Sequence, residues 1–208
     1  DWAALNDMGV RSFCDLRTTR EREAEPFRWA GENGVNYYSR DYETSFAKLR
    51  ELMRQPFASE DEAAAAMIAG YRGLAFDQAD AYRTMFGYLL AGGAPLVVNC
   101  SAGKDRAGLA AALLLSALDV PRDTIIADFV LTDRYGQLEA RMGQSGSGST
   151  LGAQPVEVRR AILSARPDYL ATAFEAIEDR HGSVLGYLDA ELSVSAQEVE
   201  RLRDDLLE

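Results

Sequence analysis

A cysteine and an arginine six positions apart, Cys100 and Arg106, stand in the segment Val97-Val98-Asn99-Cys100-Ser101-Ala102-Gly103-Lys104-Asp105-Arg106-Ala107-Gly108. A thiolate is a nucleophile, and a guanidinium can grip two phosphate oxygens in fork geometry. Leu96 to Val98 reads as a short buried strand. Leu109 to Leu118, almost wholly Ala and Leu, reads as a buried helix. The residues between them therefore form a strand-to-helix loop. Such a loop aims its backbone N–H groups and the positive end of the helix dipole at whatever sits in its hollow, and a dianionic phosphate fits. Ser101, Ala102, Gly103, Lys104, Ala107 and Gly108 are the expected phosphate cradle, with Cys100 as nucleophile and Arg106 as clamp. Together these predict hydrolysis of a phosphate monoester through a cysteinyl-phosphate.

The elements that must hold this loop follow from the apolar pattern. Gly9 to Leu16 and Gly34 to Tyr38 read as two more strands, each strand following a helical stretch. That alternation predicts an α/β fold, a central mostly parallel sheet of four to five strands flanked by helices. Helices are expected over Trp2–Met8, Thr19–Trp29 (with Pro26 marking a break), Ser45–Arg54 and Glu60–Tyr71, and Ser59-x-x-Glu62 offers a capping box. Asp77–Leu90 reads as a long amphipathic helix ended by Ala91-Gly92-Gly93. Gly143 to Gly152 is a Gly/Ser-rich flexible loop, followed by helices near Pro155–Ala165, Asp168–Arg180 and Ser195–Leu207.

Composition narrows the function classes. With 208 residues and 47% apolar content, one domain over residues 1–208 with a sizeable core is the natural reading. A net charge of −11 speaks against nucleic acid and anionic membranes as partners, so attraction for a phosphorylated substrate must be local. No run approaches the length of a membrane-spanning helix. Two cysteines build no disulfide framework, and with one histidine they argue against a zinc site, so no metal or other cofactor is expected.

Cys-x5-Arg is the signature of the protein tyrosine phosphatase superfamily, and Cys100-Ser-Ala-Gly-Lys-Asp-Arg106 resembles its bacterial and fungal tyrosine-phosphatase-like subgroup. Asp15-Leu16-Arg17 with Glu21 resembles the group's Asp-Leu-Arg segment. Arg166-Pro-Asp-Tyr-Leu170, His181-Gly-Ser-Val-Leu-Gly-Tyr-Leu188 and the helix ending at Leu207 look like its C-terminal helical tail. The resemblance implies the cysteine-phosphatase fold, phosphotyrosine as the first substrate class, and dual-specificity or phosphoinositide substrates as the rivals, with inorganic phosphate or related oxyanions binding the same loop. Lys104, by resemblance to loops of this composition, adds positive charge at the rim and suits doubly phosphorylated or inositol-phosphate substrates. A helical lid is expected within residues 45–75, where some relatives carry one. The group's Asn-Phe-Arg-Asp opening is not found, and the chain begins at Asp1, so an N-terminal segment is expected to precede it and both cytoplasmic and secreted locations stay open.

Two loop positions depart from the superfamily. Asn99 stands where histidine is usual, and, being neutral at every pH, it gives the thiolate less support. Ala107 stands where a serine or threonine hydroxyl usually helps the thiolate leave, so the second chemical step should slow. These departures motivate an alternative, a pseudo-phosphatase that binds phosphorylated ligands with little turnover.

Two carboxylates compete as general acid. Asp105 lies inside the loop, where a bound dianion favours its protonated form, and it is preferred. Asp41 follows the second strand, where small dual-specificity phosphatases carry theirs. Neither Trp2 nor Trp29 is followed by the Pro-Asp of the larger enzymes' acid loop. Other residues have plainer readings. Cys14 in its apolar strand reads as core, with a reversible disulfide to Cys100 as the sharper alternative. His181 before Gly182 reads as a helix C-terminal cation. Asp15 and Arg17 either pair at the strand end or line the pocket.

Overall fold

Ser12-Phe13-Cys14-Asp15 sends successive side chains to opposite faces of a strand, and all four are buried, so both faces are covered. The computed structural model describes residues 2–27, 29, 34–42, 46, 59–140 and 151–207. In it this segment is β1 (Ser12–Asp15), the middle strand of a parallel sheet with β2 (Asn36–Tyr38) and β3 (Leu96–Asn99) in the order β2-β1-β3. The register pairs Cys14 with Tyr38 on one side and with Val98 on the other, and sets Asp15 beside Asn99. The α/β class holds, but the sheet has three strands among the described residues rather than four to five. The rest of the regular structure described is helical.

Each face of β1 meets a different apolar layer. Phe13 stacks on Phe27 at 4.5 Å and packs near Trp29, with Leu5, Val10, Val35 and Val97 around them. Cys14 and Leu16 point the other way, into the main core shared with Cys100. Burial there pushes the Cys14 thiol up to about 12, which keeps it protonated at neutral pH and suits its reading as core. Both cysteines are free thiols.

The helices are α1 (Trp2–Asp7), α2 (Thr19–Ala24), α3 (Glu60–Asp77), α4 (Ala79–Leu90), α5 (Asp105–Ala117), α6 (Arg122–Tyr135), α7 (Val156–Leu163), α8 (Pro167–His181), α9 (Val184–Leu192) and α10 (Ala196–Leu206). Ser59 Oγ accepts the Glu62 N–H at 3.2 Å and so starts α3, as its spacing predicts. Pro167 occupies the first turn of α8, and Gly182 ends that helix at φ +73°, the left-handed conformation glycine adopts without strain. His181 closes α8 as its sequence position suggested, stacked 6.1 Å from Phe76.

Three differences from the sequence reading bear on the site. The helix expected over Glu60–Tyr71 continues to Asp77, and Gln78 separates it from α4. Ala63, Met67, Tyr71 and Leu74 form the buried stripe of α3, which packs against α7 and α8. Residues 60–75 of the expected lid are thus built into the core, and its residues 45–58 lie outside the described residues apart from Phe46. The expected flexible loop at 143–152 likewise falls outside them except for Leu151 and Gly152. Lastly, α6 was not read from the sequence, because Ile125 and Phe129 are its only fully buried residues and polar side chains surround them.

Candidate active site

Strand β3 ends at Asn99, and the chain turns through Cys100 to Lys104 before α5 begins at Asp105. The apolar β3 and the Ala/Leu stripe of α5 (Ala107, Leu109, Ala110, Leu113) are anchored by burial, so the loop between them is held at both ends. Gly103 turns it at φ +72°, which a side chain would strain. Leu16 N–H donates to Asn99 O at 2.8 Å, so the end of β1 stays tied to the residue before the cysteine. Cys100 itself is nearly buried, 8% exposed.

Arg106 is fixed from several sides. Its Nη1 donates to Glu21 Oε2 at 2.8 Å and its Nη2 to Glu21 Oε1 at 2.9 Å, a bidentate pair. Nη1 also donates to Leu16 O at 2.9 Å and Tyr42 Oη at 3.1 Å, while Nη2 reaches Ser101 Oγ at 3.3 Å. Tyr42 O–H donates in turn to Leu16 O. From behind, Tyr82 O–H donates to the Arg106 carbonyl at 2.9 Å. Burial works against the guanidinium charge, but the hydrogen bonds to Glu21 and the charge of Cys100 outweigh it and raise the arginine above its ordinary value. Cys100 and Arg106 therefore sit within electrostatic reach of one another.

Glu21 does two jobs with one carboxylate. Thr18 Oγ1 accepts the Glu21 N–H at 3.2 Å, and Glu21 Oε2 accepts the Thr18 N–H at 2.7 Å, completing a capping box for α2. The same oxygen accepts from Arg106. Burial alone would raise this carboxyl, yet the Arg106 hydrogen bonds and charge pull it down to about 2. A lowered folded-state value adds stability that is complete above the ordinary value of 4.5 and is lost as pH falls toward about 2. Urea unfolding between those limits should therefore show stability declining with pH, and Glu21→Gln should flatten the decline. An unchanged slope in the variant would refute the assignment.

Lys104 is not at an exposed rim. It is 1% exposed, and its Nζ donates to Ile162 O at 2.5 Å and Ser164 O at 3.3 Å, at the junction of α7 and α8. A buried ammonium needs such acceptors, and the end of a helix supplies them as unpaired carbonyls. Asp105 opens α5, with Tyr71 O–H donating to its Oδ1 at 2.6 Å. Asp41 stands apart: its side chain is 85% exposed and lies 2.5 Å from Arg22. The hydrogen bonds from Arg22 and Thr19 hold it below the usual carboxylate range. A proton donor needs the opposite bias, which counts against Asp41.

Asp15 and Arg17 form the ion pair anticipated for the strand end, with Nε to Oδ1 at 2.8 Å and Nη2 to Oδ2 at 2.6 Å, and Tyr37 O–H donates to the same carboxylate at 2.9 Å. Asn99 leaves its buried Oδ1 without a hydrogen-bond partner, and Ala107, buried, brings no hydroxyl to the loop. Among the described residues no cluster of three or more His, Cys, Asp or Glu side chains could hold a metal ion. No described helix is long and apolar enough to cross a membrane. Sequence reasoning placed Glu21 near the motif without its partner, and it missed Tyr42, Tyr71 and Tyr82. Only Glu21 carried a signal, the Thr18-x-x-Glu21 capping box.

Known proteins are similar to this chain in sequence. The triple specificity protein phosphatase PtpB of Mycobacterium tuberculosis is 38% identical over 128 residues, covering 57% of this chain and 46% of the relative. A tyrosine-protein phosphatase of Nostoc commune is 27% identical over 210 residues, 98% of this chain and 68% of the relative. The chain spans about half the length of the mycobacterial protein it matches. The sequence profile of the tyrosine phosphatase family matches residues 1–208 throughout, and with the cysteine loop, its arginine and the flanking strand and helix in place, the chain belongs to that family.

Proposed function

We propose that this chain hydrolyses phosphate monoesters, protein phosphotyrosine first among them, through a cysteinyl-phosphate on Cys100. The observation that carries the reading is the guanidinium of Arg106, aimed by a bidentate carboxylate beside a loop cysteine at a helix start. The Cys100 thiolate attacks phosphorus in line, and the loop amides from Ser101 to Ala107 with Arg106 hold the three non-bridging oxygens, whereas the Gly108 N–H is already given to Lys104 O at 2.8 Å. Because these dipoles are already in place, charge on those oxygens is met with little reorganisation. Asp105 protonates the departing oxygen, then as a carboxylate takes a proton from the water that releases phosphate.

Comparing kcat–pH profiles of Asp105→Asn and Asp41→Asn tests the acid. The basic limb should vanish in the first and persist in the second, with activity at neutral pH falling ~10²-fold or more only in the first. The reverse pattern would transfer the role to Asp41. The mycobacterial relative is named for triple specificity, so the fitting substrate panel is wide, with phosphopeptides and phosphoinositides side by side. Lys104 supports the loop in this reading from below, through its ties to the α7–α8 junction, and adds positive charge beneath the bound phosphate.

Asn99 and Ala107 favour a second reading, a pseudo-phosphatase that binds phosphorylated ligands. Phospho-cysteine accumulating in a single turnover with negligible steady-state rate would select it.

A further inference from the structure

Asp105 Oδ1 takes one hydrogen bond and one ion-pair contact. Tyr71 O–H reaches it at 2.6 Å from α3, and Lys104 Nζ lies 3.3 Å from the same atom. Both are immobilised. Tyr71 is fully buried, with Tyr169 at 5.5 Å and Phe129 at 6.4 Å between ring centres, and Lys104 is held by the carbonyls of Ile162 and Ser164. Among the described residues Oδ2 has no hydrogen-bond partner, so the two oxygens of this carboxyl group are not equivalent.

We infer that Tyr71 is a positioning residue for the reaction: it pins Oδ1, so that the acidic proton of Asp105 is carried on Oδ2 and leaves from there. A proton on Oδ1 would be brought against the Tyr71 hydroxyl hydrogen and the Lys104 ammonium, whereas Oδ2 meets neither. The inference rests on Asp105 being the acid, as proposed above. As sulfur bonds to phosphorus, the ester P–O bond breaks, its electron pair stays on the bridging oxygen, and that oxygen takes the proton from Oδ2. The carboxylate left behind is stabilised by the donors on Oδ1. In the second half the attacking water gives its proton back to Oδ2 as the S–P bond breaks. Tyr71 keeps its own proton throughout, since burial and then the Asp105 charge push its phenol well above the ordinary value.

A bond that merely fastened α3 to α5 would affect every substrate alike, whereas a misplaced acid harms poor leaving groups most. The test is kcat/KM of Tyr71→Phe on phenyl phosphate and on p-nitrophenyl phosphate, using the full chain. The variant should lose ~10-fold on the first and less than ~3-fold on the second. Replacing Tyr71 with 4-fluorophenylalanine, which fills the hydroxyl volume but donates nothing, should reproduce the selective loss, and it serves if the phenylalanine variant does not fold. On an Asp105→Asn background, Tyr71→Phe should change nothing further. Equal losses on both esters, or additive losses in the double variant, would overturn the role of Tyr71. If Asp105→Asn itself spares phenyl phosphate, the acid assignment fails first and the inference falls with it.

Discussion

Replacing Cys100 with serine is expected to lower kcat by about 10⁴-fold or more while leaving phosphate binding largely intact. A serine hydroxyl in this position needs a base to remove its proton, and Asp105, protonated in the proposed first step, is not one. The chain's one histidine, His181, closes α8 and is stacked on Phe76, within an aromatic cluster that includes Tyr187. The charge on Arg106 favours an anion at position 100, but a hydroxyl starts far above a thiol in proton affinity, and one guanidinium does not close that gap. Binding should survive because the amides and Arg106 are untouched. Steady-state kinetics beside calorimetric titration with phosphate separates the two quantities. Turnover within tenfold of the original protein would remove the cysteine from the mechanism.

The second large effect is expected from Arg106→Lys, a loss of ~10³-fold in kcat/KM. The guanidinium meets Glu21 through both of its terminal nitrogens and still reaches Leu16 O and Ser101 Oγ. An ammonium has the charge but not the planar fork, so it can keep one Glu21 oxygen or one phosphate oxygen in good geometry, not the whole set. Removing a single preorganised donor from developing charge typically costs ~10²–10³-fold, and here two directed donors go at once. Because the positive charge remains, the loss should lie mostly in kcat, with weaker change in competitive inhibition by phosphate. Parallel initial-rate and inhibition measurements decide it, and a loss under tenfold would show that charge alone suffices.

Both experiments address residues that are legible from sequence, and the reason is local. Cys100, Arg106, the apolar run of β3 and the Ala/Leu run of α5 fall within a single continuous stretch, where backbone propensity and spacing determine geometry. What holds that stretch in shape comes from elsewhere. Glu21 lies 85 residues from Arg106 along the chain, and Ile162, whose carbonyl takes the Lys104 ammonium, lies 58 residues away from it. Lys104 looked like a rim charge because lysines usually seek water, and only the carbonyls of a distant helix end make its burial tolerable. The division between α3 and α4 was read several residues before its place at Gln78 for a different reason: neither glycine nor proline marks it. The same logic hid Tyr71, whose spacing with Ala63, Met67 and Leu74 is that of any core stripe.

The shared carboxylate of Glu21 has one more consequence. A six-residue surface helix, α2, keeps its first turn closed with the same oxygen that steers the guanidinium. Fraying at Thr18 thus slackens the grip on Arg106, and an anchored Arg106 stiffens the helix in return. On the proposed function, local melting of this short segment releases the aim of the guanidinium, which makes α2 a point of vulnerability to acid, since protonating one side chain undoes both attachments together.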